Sequence, residues 1–474
     1  MKKERIKNIV LTALVLCSLL LTGKIWLNET LWPDGYHFFA QLRENFSSLF
    51  APAQSDSAPN LLFPSQMIAY TVKNSDHASY VVTTSNEYYD TVNDFCEETI
   101  KNALLQPAKS IVTVDETTWK NALFTNGMYI DYGSSIPSNV FCTFFGVGTQ
   151  AEFSNITNNV RYVIITAEGS LVSDIAVYLR NTDGVCYKIT TNEPKTALST
   201  VLSHLNEYVT PNNRFSFFIG ADTATSDMGE VLFNPYLLLT ETETELPQIE
   251  AENPILQQDN GMSIAKLERL LQLCSMNPKT ARRYTDADES MIFLQNQSTL
   301  KISPSGYVEY SAAAGRSGFA LPEMQNSADI ALSSLRFVYD VFEIFSEARA
   351  QLYMRDYTTD NTQSKISFDY NVNGMKVITD SAGAPAAIVH IQNGYVQKFS
   401  LHLRTYRLAE AGTVIPSTYT AVDRMFTTID TKEKNAIIEN MFIGYYDNGR
   451  NGIKQPTWFM QLSGEDRLRT MAND

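Results

Sequence analysis

The sequence predicts an α+β protein. A single transmembrane helix near the N-terminus leads into mixed α/β extracytoplasmic domains, whose antiparallel sheets are each covered by helices. Three observations lead there. A basic cluster precedes an uncharged apolar run, helix-like and strand-like stretches alternate through the first half, and the second half repeats a helix followed by hairpin strands.

The anchor comes first. Lys2, Lys3, Arg5 and Lys7 stand against only Glu4, and Ile9 to Gly23 carries no charge. Lys24 interrupts the run, which Ile25, Trp26 and Leu27 resume. As a helix rising about 1.5 Å per residue, residues 8–27 span about 30 Å, one bilayer core. A cleaved signal peptide shares the basic start but exits through small residues in an A-x-A-like pattern. Here the run leaves through Leu20-Leu21-Thr22-Gly23-Lys24, and Leu16 occupies the place where a lipoprotein cysteine at Cys17 needs a small neighbour. The expectation is therefore an uncleaved anchor, with residues 1–7 cytoplasmic and everything after Leu27 outside. Leu11, Val15, Ser18 and Thr22 share one face of this helix. Of these Ser18 and Thr22 are the small or polar side chains that let another membrane helix approach, and the four positions of this face are the candidate partner contacts.

Composition bounds the rest. A chain of 474 residues holds roughly two to four domains. Its net charge is −15, and setting residues 1–27 aside leaves 32 basic against 51 acidic residues, or −19. Such a surface repels nucleic acid, which is not an expected partner. Cys17 falls in the anchor, and Cys96, Cys142, Cys186 and Cys274 are widely spaced without a C-x-x-C pair. Buried free thiols are the expectation, with structural disulfides the alternative in an external compartment.

Residues 28–60 read as a juxtamembrane segment ending in the linker SSLFAPAQSDSAPN. An N-terminal extracytoplasmic domain is expected over 61–246. Its strands are Met67–Val72, Ser79–Thr84, Ser110–Val114, Arg161–Thr166 and Ala176–Arg180. Its helices are Asn86–Leu105, with Tyr88, Val92, Phe95, Thr99 and Leu104 on one face, and Glu193–Tyr208, with Leu198, Val201, Leu202 and Leu205 at helical spacing. The acidic stretch TETETELPQIEAEN (240–253) reads as a join.

A central domain (258–325) and a C-terminal domain (326–474) follow. Ser263–Cys274 is a helix with Ile264, Leu267, Leu270 and Leu271 inward, and Ala328–Leu352 a longer one carrying Leu335, Val338, Phe342 and Phe345. Strands Ser298–Ser303 and Gly306–Ser311 meet at Pro304-Ser305. Asn373-Gly374 and Asn393-Gly394 each sit between alternating apolar positions, the strongest short-range hairpin signal. In the second of these hairpins Phe399, Leu401 and Leu403 share one face and Lys398, His402 and Arg404 the other. A shorter helix at Thr418–Ile429 precedes strands Ile437–Tyr446 and Thr457–Leu462.

No arrangement of catalytic chemistry stands out. Five histidines (His37, His77, His204, His390 and His402) form no H-E-x-x-H and no pair with zinc spacing. Nucleophile-elbow, Walker A and G-x-G-x-x-G patterns are absent. Asp115-Glu116 is an adjacent acid pair of the kind that faces water in loops, and Tyr445-Tyr446 and Trp458-Phe459 suit core packing better than a groove. No catalytic, metal or cofactor-binding residue is assigned, and no cofactor is expected.

The start ERIKNIVLTALVLCSLLLTGKIW, the opening LLFPSQMIAYTV, the NPYLLLTE segment and the helix-and-hairpin second half together resemble the YycH family. The resemblance implies a membrane-anchored accessory protein of Gram-positive bacteria without catalytic residues. It further implies association with the WalK (YycG) sensor histidine kinase, together with a YycI-like protein, and control of cell-wall metabolism through that kinase. The family's kinase contact is ascribed largely to the membrane helix, here residues 8–27. The alternative from another class is a tethered ligand-binding module or cell-wall enzyme.

Overall fold

Alternating apolar residues between turn signals build most of this structure. The computed structural model describes residues 62–471, apart from 74–75, 85–86, 149–150, 168–173, 209–212, 217–231, 256–262, 314–317, 323, 347–350, 361, 380–382, 428–436 and 466–467. The predicted anchor lies outside the described residues. Among those described, no helix is long and apolar enough to cross a membrane. Seven α-helices and sheets of nine, three and thirteen strands are described, all within the compact unit Pro59–Asp474.

All five strands expected in the first half form, as Gln66–Lys73, Asp76–Val81, Ile111–Val114, Asn159–Ala167 and Asp174–Arg180. With Gly127–Pro137, Cys186–Pro194, Asn213–Phe215 and Leu238–Thr240 they make the nine-stranded antiparallel sheet. Asp174–Arg180 is buried from Ile175 to Leu179 because both faces of the sheet are covered. Ile175, Val177 and Leu179 meet helices Tyr89–Leu104 and Lys195–Tyr208, whereas Ala176 and Tyr178 pack with Trp119 of helix Glu116–Ala122. The first helix buries Val92, Cys96, Thr99, Ile100, Ala103 and Leu104, so its core stripe is rotated from the expected one and leaves Tyr88 and Phe95 at its margin. Asp115 is not idle: it caps Glu116–Ala122, accepting from the Thr118 N–H at 2.8 Å.

The second half departs from the expectation of separate sheets. Most of its strands merge, with Leu232–Phe233 from the first half, into one sheet of thirteen, while Thr405–Ile415 and Gly452–Lys454 join the three-stranded sheet. Helix Ser327–Phe345 packs against Gln351–Thr359, Gln363–Val372 and helix Ile264–Leu273. Both Asn-Gly hairpins form, with φ of 52° and 80° at Asn373 and Gly374 and 51° and 80° at Asn393 and Gly394. That is the double left-handed conformation a type I′ turn requires. The long helix stops at Phe345 instead of reaching Leu352. Leu352, Tyr353 and Met354 go into a strand that pairs with Gln363–Val372, where tertiary pairing outweighs helical spacing. Ile264, expected inward, is 71 % exposed in the first turn after the Ser263 cap. The acidic stretch is a strand, Thr244–Glu252, paired on both sides by Thr405–Ile415 and Gly452–Lys454, with Ile249 and Ala251 buried.

Candidate functional site

Two polar clusters stand out among the described residues. The first lies where strand Gly127–Pro137 of the nine-stranded sheet rests against Gln351–Thr359 of the larger one. Gly133, at φ 76°, brings the backbone so close that a Cβ there would stand 2.8 Å from Ser65 Cβ and 2.9 Å from Lys376 Nζ. The Lys376 ammonium lies 5.8 Å from the Tyr353 ring centre and 5.4 Å from that of Phe442. No hydrogen bond or ion pair reaches it among the described residues. Burial holds its pKa below the usual lysine range; Asp369 and Asp131 oppose that shift, and Arg355 and Arg161 add to it.

Both acids have their own partners. Asp131 takes Arg161 at 3.1 Å and the Gly133 N–H at 2.6 Å. Asp369 takes Arg355 at 3.4 Å, and burial nevertheless pushes its carboxyl upward. Burial, and then its cross-strand neighbour Asp369, raises the pKa of the Tyr353 hydroxyl, whereas Ser134 Oγ and Thr84 Oγ1 are buried without a hydrogen-bond partner. Thr84 faces Gly374, whose Cβ would lie 3.1 Å from that Oγ1. This seam is close in shape but incompletely satisfied in polarity.

The second cluster is the reverse. Arg404, expected to face outward beside Lys398 and His402, is buried. Its Nε and Nη2 donate to the two Asp447 oxygens at 2.7 and 3.1 Å, and the Arg450 carbonyl and Asn451 Oδ1 accept its remaining bonds. Tyr406 donates to Asp447 at 3.0 Å, and Lys454 lies 3.4 Å away. Asn451 also accepts from the Asn253 N–H, so this knot ties the 447–451 loop to the end of the central strand Thr244–Glu252. Every ion here is paired, as a buried structural network requires.

Other residues singled out by sequence take structural places. Tyr445, Trp458 and Phe459 are core residues, with Trp458 Nε1 donating to the Pro416 carbonyl at 2.9 Å. His390 is half-buried between Lys365 and Lys398 on adjacent strands, and His402 packs on Tyr307 with ring centres 4.8 Å apart. Cys96, Cys142, Cys186 and Cys274 are free and buried. No group of three His, Cys, Asp or Glu is placed to hold a metal ion among the described residues. Leu11, Val15, Ser18 and Thr22 lie outside the described residues.

Residues 4–199 match the family described as YycH protein, N-terminal domain. Over that segment the chain is similar to the YycH family. The match starts inside the basic cluster, takes in the predicted anchor and runs into helix Lys195–Tyr208. The seam thus has Phe63, Ser65, Asp131 and Gly133 within the matched segment and Tyr353, Asp369 and Lys376 beyond it. No curated protein matches the chain.

Proposed function

We propose that this chain is a non-enzymatic, membrane-anchored regulator of a WalK/YycG-like sensor histidine kinase that controls cell-wall metabolism, acting with a YycI-like protein. Its N-terminus is cytoplasmic and most of the chain lies outside. One observation carries the reading: a single YycH match extends from the basic cluster through the apolar stretch into the first sheet. The anchor is read as the working surface as well as the tether, through Leu11, Val15, Ser18 and Thr22. The external sheets bias that helix, and a bound species shifts it only by preferring one of its states.

The test is affinity capture from detergent-solubilised membranes, with residues 8–27 intact or replaced by an unrelated membrane helix. Co-purification of a sensor kinase with the intact form alone supports the reading. Capture with both forms moves the contact to the external sheets. Capture with neither removes the kinase and brings forward a tethered ligand-binding module or cell-wall enzyme. Within the anchor, Ser18→Leu with Thr22→Leu is expected to lower the captured kinase without unfolding the external part. An unchanged yield removes that stripe from the contact.

A further inference from the structure

The chain enters the described fold at Leu62, and the entry is fixed at the seam. Phe63 is buried, with its ring centre 6.2 Å from Tyr89 in the matched segment and 6.5 Å from Tyr353 across the seam. Two residues on, the Ser65 side chain lies against Gly133, and Gly133 lies against Lys376 Nζ. Strand Gln66–Lys73 then begins at once and pairs with the seam strand, Gln66 opposite Asp131 and Met67 opposite Ile130. A continuous set of contacts therefore runs from Phe442 and Lys376 through Tyr353 and Gly133 to Phe63 and Ser65.

The seam is also a weak place to close a fold. Glycines on both sides, Gly133 and Gly374, allow the approach, but Thr84 Oγ1 and Ser134 Oγ are left without hydrogen-bond partners and Lys376 without an anion in contact. Buried polar groups without partners favour any arrangement in which water reaches them. The Arg404–Asp447 knot has no such defect. Local opening follows the least satisfied packing, and elements that move are drawn from that end of the stability scale.

We propose that this seam is a two-state coupling element: the larger sheet opens and closes against strand Gly127–Pro137 around Lys376, and each change is delivered through Phe63 and Ser65 to the chain leading to the anchor. The assignment rests on the membrane-regulator reading for its purpose, but not for its existence. In the closed state the ammonium is held between the Tyr353 and Phe442 rings. In the open state it is hydrated, and the entry residues lose Tyr353 and Gly133 as supports. A ligand or partner that prefers either state moves the equilibrium by its difference in affinity.

The test is backbone hydrogen exchange on the full chain in detergent, comparing the natural sequence with Lys376→Met and, separately, Thr84→Val. Methionine keeps an unbranched side chain between the rings without the charge. Valine keeps the shape of threonine without the hydroxyl, and it carries the test if the lysine variant folds poorly. Each is expected to slow exchange at 62–73 and 127–137 by about 5- to 30-fold, the effect of removing one unsatisfied buried group. Ile111–Val114, at the far edge of the sheet order, is expected to be unaffected. Faster exchange at the seam means that the polar groups hold it shut, and slowing at 127–137 without slowing at 62–73 means that the entry is not coupled; either overturns the proposal. Kinase output is read separately in cells. Slowed exchange with unaltered output leaves the coupling element standing and removes its assigned purpose.

Discussion

Asp447→Asn tests whether the buried knot holds the second half together. The carboxylate is 1 % exposed and its partners Arg404 and Lys454 are 3 % and 8 % exposed. One oxygen accepts from Arg404 Nε and Tyr406, the other from Arg404 Nη2 and the Gly449 N–H. An amide of the same shape turns one of those oxygens into a donor, so whichever way it is oriented two donors face it. The two cations also lose their counter-charge inside the protein. Breaking a buried pair from one side costs about 3–5 kcal/mol. With an unfolding entropy of about 2.1 cal/mol/K per residue over roughly 400 residues, that cost lowers Tm by about 4–6 °C. Thermal unfolding of the full chain in detergent, followed by tryptophan fluorescence, reads it. Arg404→Met, Asp447→Leu and Lys454→Met combined removes all three charges and is expected to recover at least half of the loss. A Tm within about 1 °C of the natural protein for Asp447→Asn, or a triple variant as unstable as the single one, refutes the account.

Two further outcomes follow from titratable groups. Burial, then Lys365 and Lys398, hold the His390 imidazole below its ordinary 6.5. The unfolded chain takes up this proton first, so stability rises as pH climbs towards 6.5 and no longer depends on this group above it. His390→Gln is expected to flatten that limb of the Tm–pH curve, and an unaltered slope would count against the assignment. Burial also pushes the Cys142 and Cys274 thiols up to about 12, and raises those of Cys96 and Cys186. A thiol reagent at pH 8 should leave all four untouched in the folded protein and label them after denaturation; labelling of the native state would show that they are accessible.

Local chemistry made several elements legible in the sequence. Asn373-Gly374 and Asn393-Gly394 specify their turns through backbone conformations that few other residue pairs adopt, and strand Ile437–Tyr446 reads directly from its apolar pattern. Leu198, Val201, Leu202 and Leu205 gave away one helix face. What escaped depends on distant partners. Thr244–Glu252 alternates Ile249 and Ala251 inward with Glu250 and Glu252 outward, but its high acid content masked a period-two signal. Arg404 lies in the break between strands Tyr395–His402 and Thr405–Ile415, and only the loop at Asp447, 43 positions away, makes that place interior. The seam was illegible for the same reason. Gly133, Tyr353 and Lys376 are unremarkable singly, and they acquire meaning only when two sheets meet.

The strand pairings also constrain how the molecule is made. Leu232–Phe233 finds its neighbour in Ile437–Ile438, and Thr244–Glu252 finds both of its neighbours beyond residue 404. The nine-stranded sheet has every strand in hand once Thr240 has emerged. The chain that follows carries open hydrogen-bonding edges until about 200 more residues are delivered. Pairings of such long sequence separation are slow to close and leave those edges open to the wrong partners meanwhile. Loss of the last fifty residues would thus be felt near residue 250 as much as at the C-terminus, because Gly452–Lys454 and the Asn451 contact to Asn253 would go with them.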